Sequence, residues 1–399
     1  MCCENIRKRR GLLIENFSIF FVVTFPILEA YSIFGIPITD IFSIIIIFLN
    51  LFYKRTFKVS IKKIYLPLLI YVLFTCLLSL NGLLVLNNYK NLVNALIMQF
   101  INIFAYLIAW ENIEFNKMIS FADIVAYICC LYVCFQFFML ITGREVPIGK
   151  IPFLSVNTTW IPEIWGFRFN SLFSEPSYFA IFLLPIFSAH LINFEWKKSI
   201  IFGTFILLSS STLGIITMSI IIIEQVISGK IAIRKKVTIL FGIICIILIL
   251  NWILNNSLVL SNILNRTFDK AITIFDSQDN TNDIRKTGHL KYYNFLPVKE
   301  KILGVGISQL RNYYLEHGYD LSNYSNSFVL TLINSGIIGF FILVIYLIDL
   351  LKISLKNKSF VFFIILFLTL LGDSILIGYR FYWLCMFIYL FKPKEESEI

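Results

Sequence analysis

Long apolar runs separated by short polar connections fill most of the chain. Most of these runs approach the ~20 residues that a helix needs to cross a bilayer. The pattern predicts helical spans near residues 12–34, 38–53, 64–86, 91–110, 119–142, 176–194, 199–210, 211–227, 237–256, 327–351, 359–377 and 379–391. The two runs between 199 and 227 are short, and one long tilted helix is the alternative interpretation of them.

The composition supports a membrane protein. Hydrophobic residues make up 58% of the 399 residues and charged residues only 15%, whereas soluble domains have about 45–50% and 25%. These proportions exclude a soluble globular enzyme, a disordered chain and a nucleic-acid binder, although the net charge is +10. We predict an all-α, polytopic integral membrane protein that forms a single membrane domain over residues 1–399 and contacts membrane lipids.

The basic residues predict the orientation. With twelve spans, most Lys and Arg residues fall in short connections on the side of both termini, and the positive-inside rule makes that side cytoplasmic. Merging 199–227 into one span would move the basic segments 234–236 and 352–358 to the opposite side, so twelve spans are favoured. Two larger loops, 143–175 and 257–326, then face the exterior, and the second is long enough for short helices. Loops of this length in compact proteins commonly carry function.

The sequence offers no metal or disulfide site. Of the eight Cys residues, two precede the first apolar run and the others lie within apolar runs, so no disulfide framework is indicated. Cys129, Cys130 and Cys134 fall on one predicted helix without an accompanying His, and we interpret them as small core residues. Without an HExxH motif or an acidic cluster, we predict that the protein uses no metal and no cofactor.

Ionisable residues concentrate at the predicted exterior face. In the first loop Arg168 and Glu175 precede Pro176, where a helix commonly begins. A capped helix start with a solvated arginine is the alternative interpretation of this segment. The second loop adds further candidates, namely Arg266, Arg285, His289, Arg311, His317 and Asp320. Because the planar guanidinium suits bidentate binding of phosphate, these arginines favour a site for a lipid-linked phosphate substrate.

Carboxylates inside the apolar runs also indicate function, because charges are costly in hydrocarbon. Glu29, Asp40 and Asp373 lie toward the exterior side, near Arg380. A purely structural ion pair between Asp373 and Arg380 is the alternative interpretation.

Two glycine pairs predict local geometry. Gly304 and Gly306 indicate a tight turn, since the third glycine of a nucleotide-binding loop and its βαβ context are missing. Gly336 and Gly339, three residues apart in a span, predict close helix packing.

Three stretches carry a resemblance to a known family. They are RFNSLFSEPS at 168–177, SSSTLG at 209–214, and the region from Arg285 through LPVKEKILGVG to SNSFVLTLINSGIIG. In order and predicted sidedness they resemble the O-antigen polymerase and ligase superfamily, and within it the Wzy-type oligosaccharide repeat-unit polymerases. Two departures are visible. Ser325-Asn326 stands where relatives have His-Asn, which disfavours the ligase branch, and Thr212 or Leu213 stands where relatives have an Arg.

The resemblance implies a metal-independent glycosyltransferase of the bacterial cytoplasmic (inner) membrane. Such enzymes transfer a growing undecaprenyl-diphosphate-linked glycan onto a new lipid-linked repeat unit, and a chain-length-regulating co-polymerase is the implied protein partner. Arg168 and Arg285, with Arg311 as a third contact, are expected to bind the diphosphate, and Glu175 leads as the base. The predicted catalytic residues are Glu175, Arg285 and His289. The predicted substrate-binding residues are Arg168, Arg311, His317, Asp320, Asn326 and Arg380.

Other functions remain open at this stage. An O-antigen ligase on the same fold would use a lipid A core acceptor. A lipid-linked oligosaccharide transporter would place charged residues along a central path. A non-catalytic membrane scaffold would tolerate neutralisation of both Arg168 and Arg285.

Overall fold

The computed structural model describes residues 2–54, 65–83, 89–149, 151, 154–156, 167–228, 290, 293–294, 296–306 and 326–393. This part of the chain is mostly helical. The helices are α1 (Cys2–Leu28), α2 (Ile38–Lys54), α3 (Leu66–Leu83), α4 (Tyr89–Asn112), α5 (Phe115–Ile141), α6 (Pro176–Ile192), α7 (Trp196–Leu208), α8 (Thr212–Ser228), α9 (Val298–Leu303), α10 (Ser327–Lys356), α11 (Phe360–Gly372) and α12 (Tyr379–Leu390). The strands are β1 (Tyr31–Ile33), β2 (Ile36–Pro37) and β3 (Ser155–Val156).

Three of the described helices are long and apolar enough to cross a membrane: Gly11–Leu28 of α1, all of α5 and all of α10. Several shorter apolar helices accompany them. The protein is therefore helical and membrane-embedded, as the composition predicts. The count of twelve spans and the two exterior loops remain predictions, and the run 237–256 lies outside the described residues.

The region between 199 and 227 contains two helices. α7 ends at Leu208 and α8 begins at Thr212, and Ser210 between them has a φ of 52°, outside the right-handed helical region. Both helices pack on α6 and on each other. A single long tilted helix is therefore not the structure of this region.

The chain folds into two compact units. Unit 1 comprises Met1–Asp123 and Asp279–Lys392, and unit 2 comprises Ile124–Gln278 and Pro393–Ile399. In unit 1, α1, α2 and α4 pack together, α10 packs on α3, α9 and α11, and α12 packs on α1, α10 and α11. In unit 2, α6 packs on α7 and α8, and nearly all of its side chains are buried. The prediction of one membrane domain is not tested by this division.

A β-hairpin connects α1 to α2 in unit 1. β1 and β2 pair antiparallel, with Ser32 opposite Pro37 and Ile33 opposite Ile36. The two turn residues, Phe34 and Gly35, have φ values of 51° and 79°, as the tight turns that favour right-handed strand twist require. The all-α prediction did not include this hairpin.

Candidate functional site

A buried ion cluster joins three helix ends of unit 1. The Arg380 guanidinium at the start of α12 donates from Nε to Glu29 Oε2 (3.2 Å) and from Nη2 to Glu29 Oε1 (3.1 Å). Its Nη1 lies 3.5 Å from Asp373 Oδ2. Arg380 and Asp373 are 6% and 3% exposed, whereas the Glu29 side chain is 30% exposed. The structure thus brings Arg380 together with two of the three carboxylates that the sequence places near it.

The third carboxylate, Asp40, belongs to an adjacent hydrogen-bond network. The Tyr379 hydroxyl donates to Asp40 Oδ1 (3.0 Å), and Asn102 Nδ2 lies within 3.4 Å of the same oxygen. Asn102 Nδ2 also donates to the Tyr379 hydroxyl (2.9 Å), while Ser43 Oγ donates to Asn102 Oδ1 (2.6 Å). Asp40 is 8% exposed and lies in the first turn of α2, where the helix dipole favours a negative charge. Side chains from α2, α4 and α12 therefore hold one carboxylate.

Two ionic contacts of unit 1 lie along α1 and just after its end. Near the middle of α1, Glu15 pairs with Lys117 of α5 (2.9 Å), whose side chain is 47% exposed. The separation of Glu15 from Glu29 along α1 corresponds to about 21 Å of helix. This distance is shorter than the ~30 Å thickness of a bilayer hydrocarbon core.

The start of α10 is hydrogen-bonded to the same region. Asn326 caps this helix, with its Oδ1 accepting from Val329 N (2.9 Å). The backbone N–H and Oγ of Ser327 both donate to the Asp373 carbonyl oxygen (3.1 and 2.7 Å). Asn326 and Arg380, both predicted to bind substrate, are thus linked through Ser327 and Asp373. The capping bond is the role that the geometry gives Asn326, and substrate binding by it stays a prediction.

In unit 2, the segment 167–175 is a buried turn that leads into α6. Asn170 and Ser171 are fully buried. Gln136 of α5 donates from Nε2 to Asn170 Oδ1 (2.8 Å) and accepts from Ser171 N at Oε1 (3.0 Å). Ser171 Oγ donates to the Cys129 carbonyl oxygen (2.8 Å). These bonds fix the backbone between Arg168 and α6.

Arg168 and Glu175 flank this buried turn. Arg168 lies half-buried between Phe167 and Phe169. Glu175 is the residue before Pro176, the first residue of α6, and its Oε2 accepts from Ser177 Oγ (3.2 Å). The helix start at Pro176 agrees with the sequence prediction. Glu175 is at the N-cap position of α6, but its side chain makes no capping hydrogen bond to the helix backbone. The chemical roles of Arg168 and Glu175 stay predictions.

The serine turn at 209–211 is buried and starts α8. Ser209 and Ser211 are at most 2% exposed, and Ser211 Oγ accepts from Gly214 N (3.2 Å), which is a typical N-cap bond. A Cβ at Gly214 would lie 2.6 Å from the Ala180 Cβ of α6. The turn of the second family-like stretch is therefore packed closely beside α6, in the same unit as Arg168.

In unit 1, a glycine breaks α10 near its start. Gly336 has a φ of 61° and a ψ of −168° inside the helix, so the carbonyl groups before it lose their helical partners. The N–H of Val305 donates to the Ile333 oxygen (3.0 Å) and that of Gly306 to the Asn334 oxygen (2.9 Å). The segment after α9 thus supplies hydrogen-bond donors to the carbonyl groups at the break. Buried non-helical backbone in a membrane helix requires such partners.

The close approach explains the glycines of the third family-like stretch. Gly304 has a φ of 87°, and a Cβ there would collide with the Asn334 backbone. A Cβ at Gly336 would collide with the Ile302 carbonyl oxygen. A Cβ at Gly339 would collide with the Ser335 side chain of the same helix, and the Phe74 ring of α3 lies 3.5 Å away. The predicted turn at Gly304 and the predicted packing position at Gly336 are therefore two halves of one contact.

Five predicted site residues lie outside the described residues, namely Arg285, His289, Arg311, His317 and Asp320. Sequence reasoning missed Ser43, Asn102, Gln136, Asn170 and Tyr379. An amide within a predicted span was the available signal for Asn102 and Gln136, because an unpaired amide in hydrocarbon is costly. Tyr379 carried no such signal, since tyrosine is common at membrane boundaries.

Outside the predicted spans, Tyr293 has a raised pKa. In the segment before α9, the Tyr293 hydroxyl donates to the Lys301 carbonyl oxygen (3.2 Å), and desolvation raises the pKa of Tyr293. Among the described residues, no group of three or more His, Cys, Asp or Glu side chains is arranged to hold a metal ion.

No protein-family model matches the chain, and no curated protein matches it in sequence.

Proposed function

We propose that this protein is a membrane glycosyltransferase that polymerises undecaprenyl-diphosphate-linked oligosaccharide repeat units of a bacterial surface polysaccharide such as O-antigen or capsule. The growing glycan is moved from its lipid carrier onto a new lipid-linked unit at the outer face of the cytoplasmic membrane. The proposal rests on the family resemblance of the three sequence stretches, together with one structural observation. That observation is the fixed turn that holds Arg168 and Glu175 at the start of α6.

The chemistry of that turn fits the reaction. Leaving-group departure needs positive charge near the diphosphate, which the Arg168 guanidinium and the positive end of the α6 dipole supply. A carboxylate such as Glu175 serves as a base for the acceptor hydroxyl. Because the Gln136–Asn170–Ser171 bonds fix the backbone, both groups are positioned before substrate binds.

The broken helix favours a transporter of lipid-linked oligosaccharides as a second candidate. Interrupted membrane helices often line transport sites, and α10 is interrupted at Gly336. In this protein, however, Val305 and Gly306 already bind the carbonyl groups at the break. The polymerase therefore remains the leading proposal.

A glycolipid gel from cells that lack the protein tests the proposal. Wild type should restore the polysaccharide ladder, whereas the deletion should leave core with a single repeat unit. Arg168→Ala should reduce the ladder strongly, because the diphosphate loses a charged partner. Arg144→Ala is the matched control, since Arg144 is an exposed arginine in the same predicted loop.

Other outcomes of the gel point to other functions. Bare core with accumulated lipid-linked polymer would indicate a ligase. Repeat units trapped on the cytoplasmic leaflet would indicate a transporter. A normal ladder in the deletion strain would refute both the polymerase and the ligase. If Arg168→Ala behaves like Arg144→Ala, Arg168 has no part in diphosphate binding.

A further inference from the structure

The β-hairpin between α1 and α2 exposes apolar side chains at its tip. Tyr31 at its start and Ile38 directly after it are buried, with exposures of 1% and 5%. Between them, Phe34 is fully exposed, Ile36 is 52% exposed and Ile33 is 39% exposed. The base of the hairpin is therefore packed into unit 1, whereas its tip presents three apolar side chains outward.

The backbone at Phe34 makes this exposure more informative. Its φ of 51° lies in the left-handed region, where bulky residues are rare and the turn favours asparagine or glycine. A polar residue at this position would suit both the conformation and contact with water. An exposed phenylalanine in its place indicates that the tip makes apolar contacts outside the protein.

The neighbouring helices indicate that lipid supplies these contacts. α1 ends at Leu28 and β1 begins at Tyr31, and Gly11–Leu28 is long and apolar enough to cross a membrane. On α2, after the hairpin, Phe48 and Phe52 are 53% and 74% exposed, as lipid-facing positions of a membrane-embedded helix are. The segment 30–39 contains no charged residue, so the tip offers no ion pair to a protein partner.

We propose that this hairpin is an interfacial anchor, with Ile33, Phe34 and Ile36 inserted at the boundary between the lipid headgroups and the acyl chains. Apolar and aromatic side chains of membrane-surface segments are buried at this depth. The boundary fits a hairpin better than the hydrocarbon core does. Backbone groups at the turn that have no partner in the strands can reach water there, whereas in the core they would stay unsatisfied.

The anchor would also set the depth of the polar groups beside it in unit 1. Glu29 lies two residues before β1, and Asp40 lies three residues after β2. With the tip held at the boundary, the Glu29–Arg380 ion pair and the Asp40–Tyr379 hydrogen bond lie close to the headgroups. Such an anchor would serve a polymerase or a transporter equally, so the inference does not depend on the proposed function.

Photo-crosslinking of the full-length protein in phosphatidylcholine liposomes tests the anchor. The photoreactive p-benzoylphenylalanine replaces Phe34, and mass spectrometry measures the phospholipid adduct after irradiation. Phe341, which is 62% exposed on the membrane-crossing α10, is the lipid-facing reference position, and the exposed Lys352 is the water-facing one. The adduct yield at Phe34 should match that at Phe341. It should exceed that at Lys352 by at least about tenfold, the preference of a phenylalanine side chain for burial away from water.

The same probe at Ile36 gives an independent reading and decides the test if the Phe34 variant does not elute like the wild-type protein. The adducts should map to the part of the acyl chain next to the glycerol. Adducts at the methyl end would place the hairpin in the hydrocarbon core and contradict an interfacial anchor. Yields at Phe34 and Ile36 as low as at Lys352 would mean that the tip lies in water. Crosslinks to a second copy in place of lipid would mean that the tip is a protein contact, and either result would overturn the proposal.

Discussion

Arg380 is a candidate for substrate binding by sequence, but in the structure its guanidinium pairs with carboxylates of the protein itself. The sequence places Arg380 and three carboxylates toward one face, and the structure shows bidentate bonding to Glu29 and a contact with Asp373. With Nε and Nη2 bonded to Glu29 and Nη1 facing Asp373, this guanidinium has few donor groups left for a diphosphate. The structural ion pair, the simpler sequence interpretation, is therefore the one that the geometry favours for Arg380.

Removing this guanidinium should destabilise the protein. Arg380→Met leaves two carboxylates uncompensated, and breaking a buried ion pair on one side costs roughly 3–5 kcal/mol. We expect a value of about 3 kcal/mol, because Glu29 is partly exposed. Thermal unfolding of the purified protein in detergent measures the loss. Lys352→Met, which breaks the exposed pair with Asp349, should change stability by less than about 1 kcal/mol. Equal effects of the two changes would contradict this interpretation of the cluster.

Two tyrosines on α12 provide a matched comparison. Tyr379 donates to Asp40, whereas the fully buried Tyr382 hydroxyl has no hydrogen-bond partner within the described residues. Tyr379→Phe should lower the unfolding free energy by about 1–3 kcal/mol, and Tyr382→Phe should leave it unchanged or raise it. Thermal unfolding again provides the measurement. A larger loss for Tyr382→Phe would mean that a water or ligand occupies the space beside Tyr382.

At the scale of elements, the break in α10 depends on one backbone conformation. Gly336 has a φ of 61°, and its missing side chain lets the Ile302 carbonyl oxygen approach. The sequence predicted close packing at this glycine but not that the segment after α9 is the neighbour. Residues 304 and 336 are far apart in the chain, so helical periodicity carries no information on their contact.

Gly336→Ala should therefore destabilise the protein. The added Cβ clashes with Ile302, and the positive-φ extended conformation, which is essentially confined to glycine, costs about 1–3 kcal/mol, so we expect a loss of at least about 2 kcal/mol. Gly11→Ala is the control, since Gly11 lies in α1 with no atom near the position of a Cβ. That change should be neutral or stabilise by up to about 1 kcal/mol. Unfolding midpoints of the two variants give the comparison, and similar midpoints would argue against the close approach at Gly336.

At the scale of the whole molecule, orientation is a prediction of the basic connections. Arg144 and Lys356 are both exposed, and the charge pattern assigns them to opposite faces. A membrane-impermeant maleimide should label Arg144→Cys in intact cells and Lys356→Cys only after the membrane is opened. The unsubstituted protein, with its native Cys residues, provides the background. Labelling of Lys356→Cys in intact cells would reverse the predicted orientation.

The sequence by itself determined the class of protein and the positions of most helices. A lipid environment forces backbone groups to bond within each helix, so a local apolar run is enough to predict α2, α6 or α11. The sequence also indicated Pro176 as a helix start and Gly336 as a packing position, because these effects are local.

Only the tertiary structure decided which polar groups meet. Arg380 pairs with Glu29 across 351 residues, and Tyr379 bonds Asp40 across 339. No local pattern encodes such pairs, because they depend on how the ends of α1, α2 and α12 pack in three dimensions.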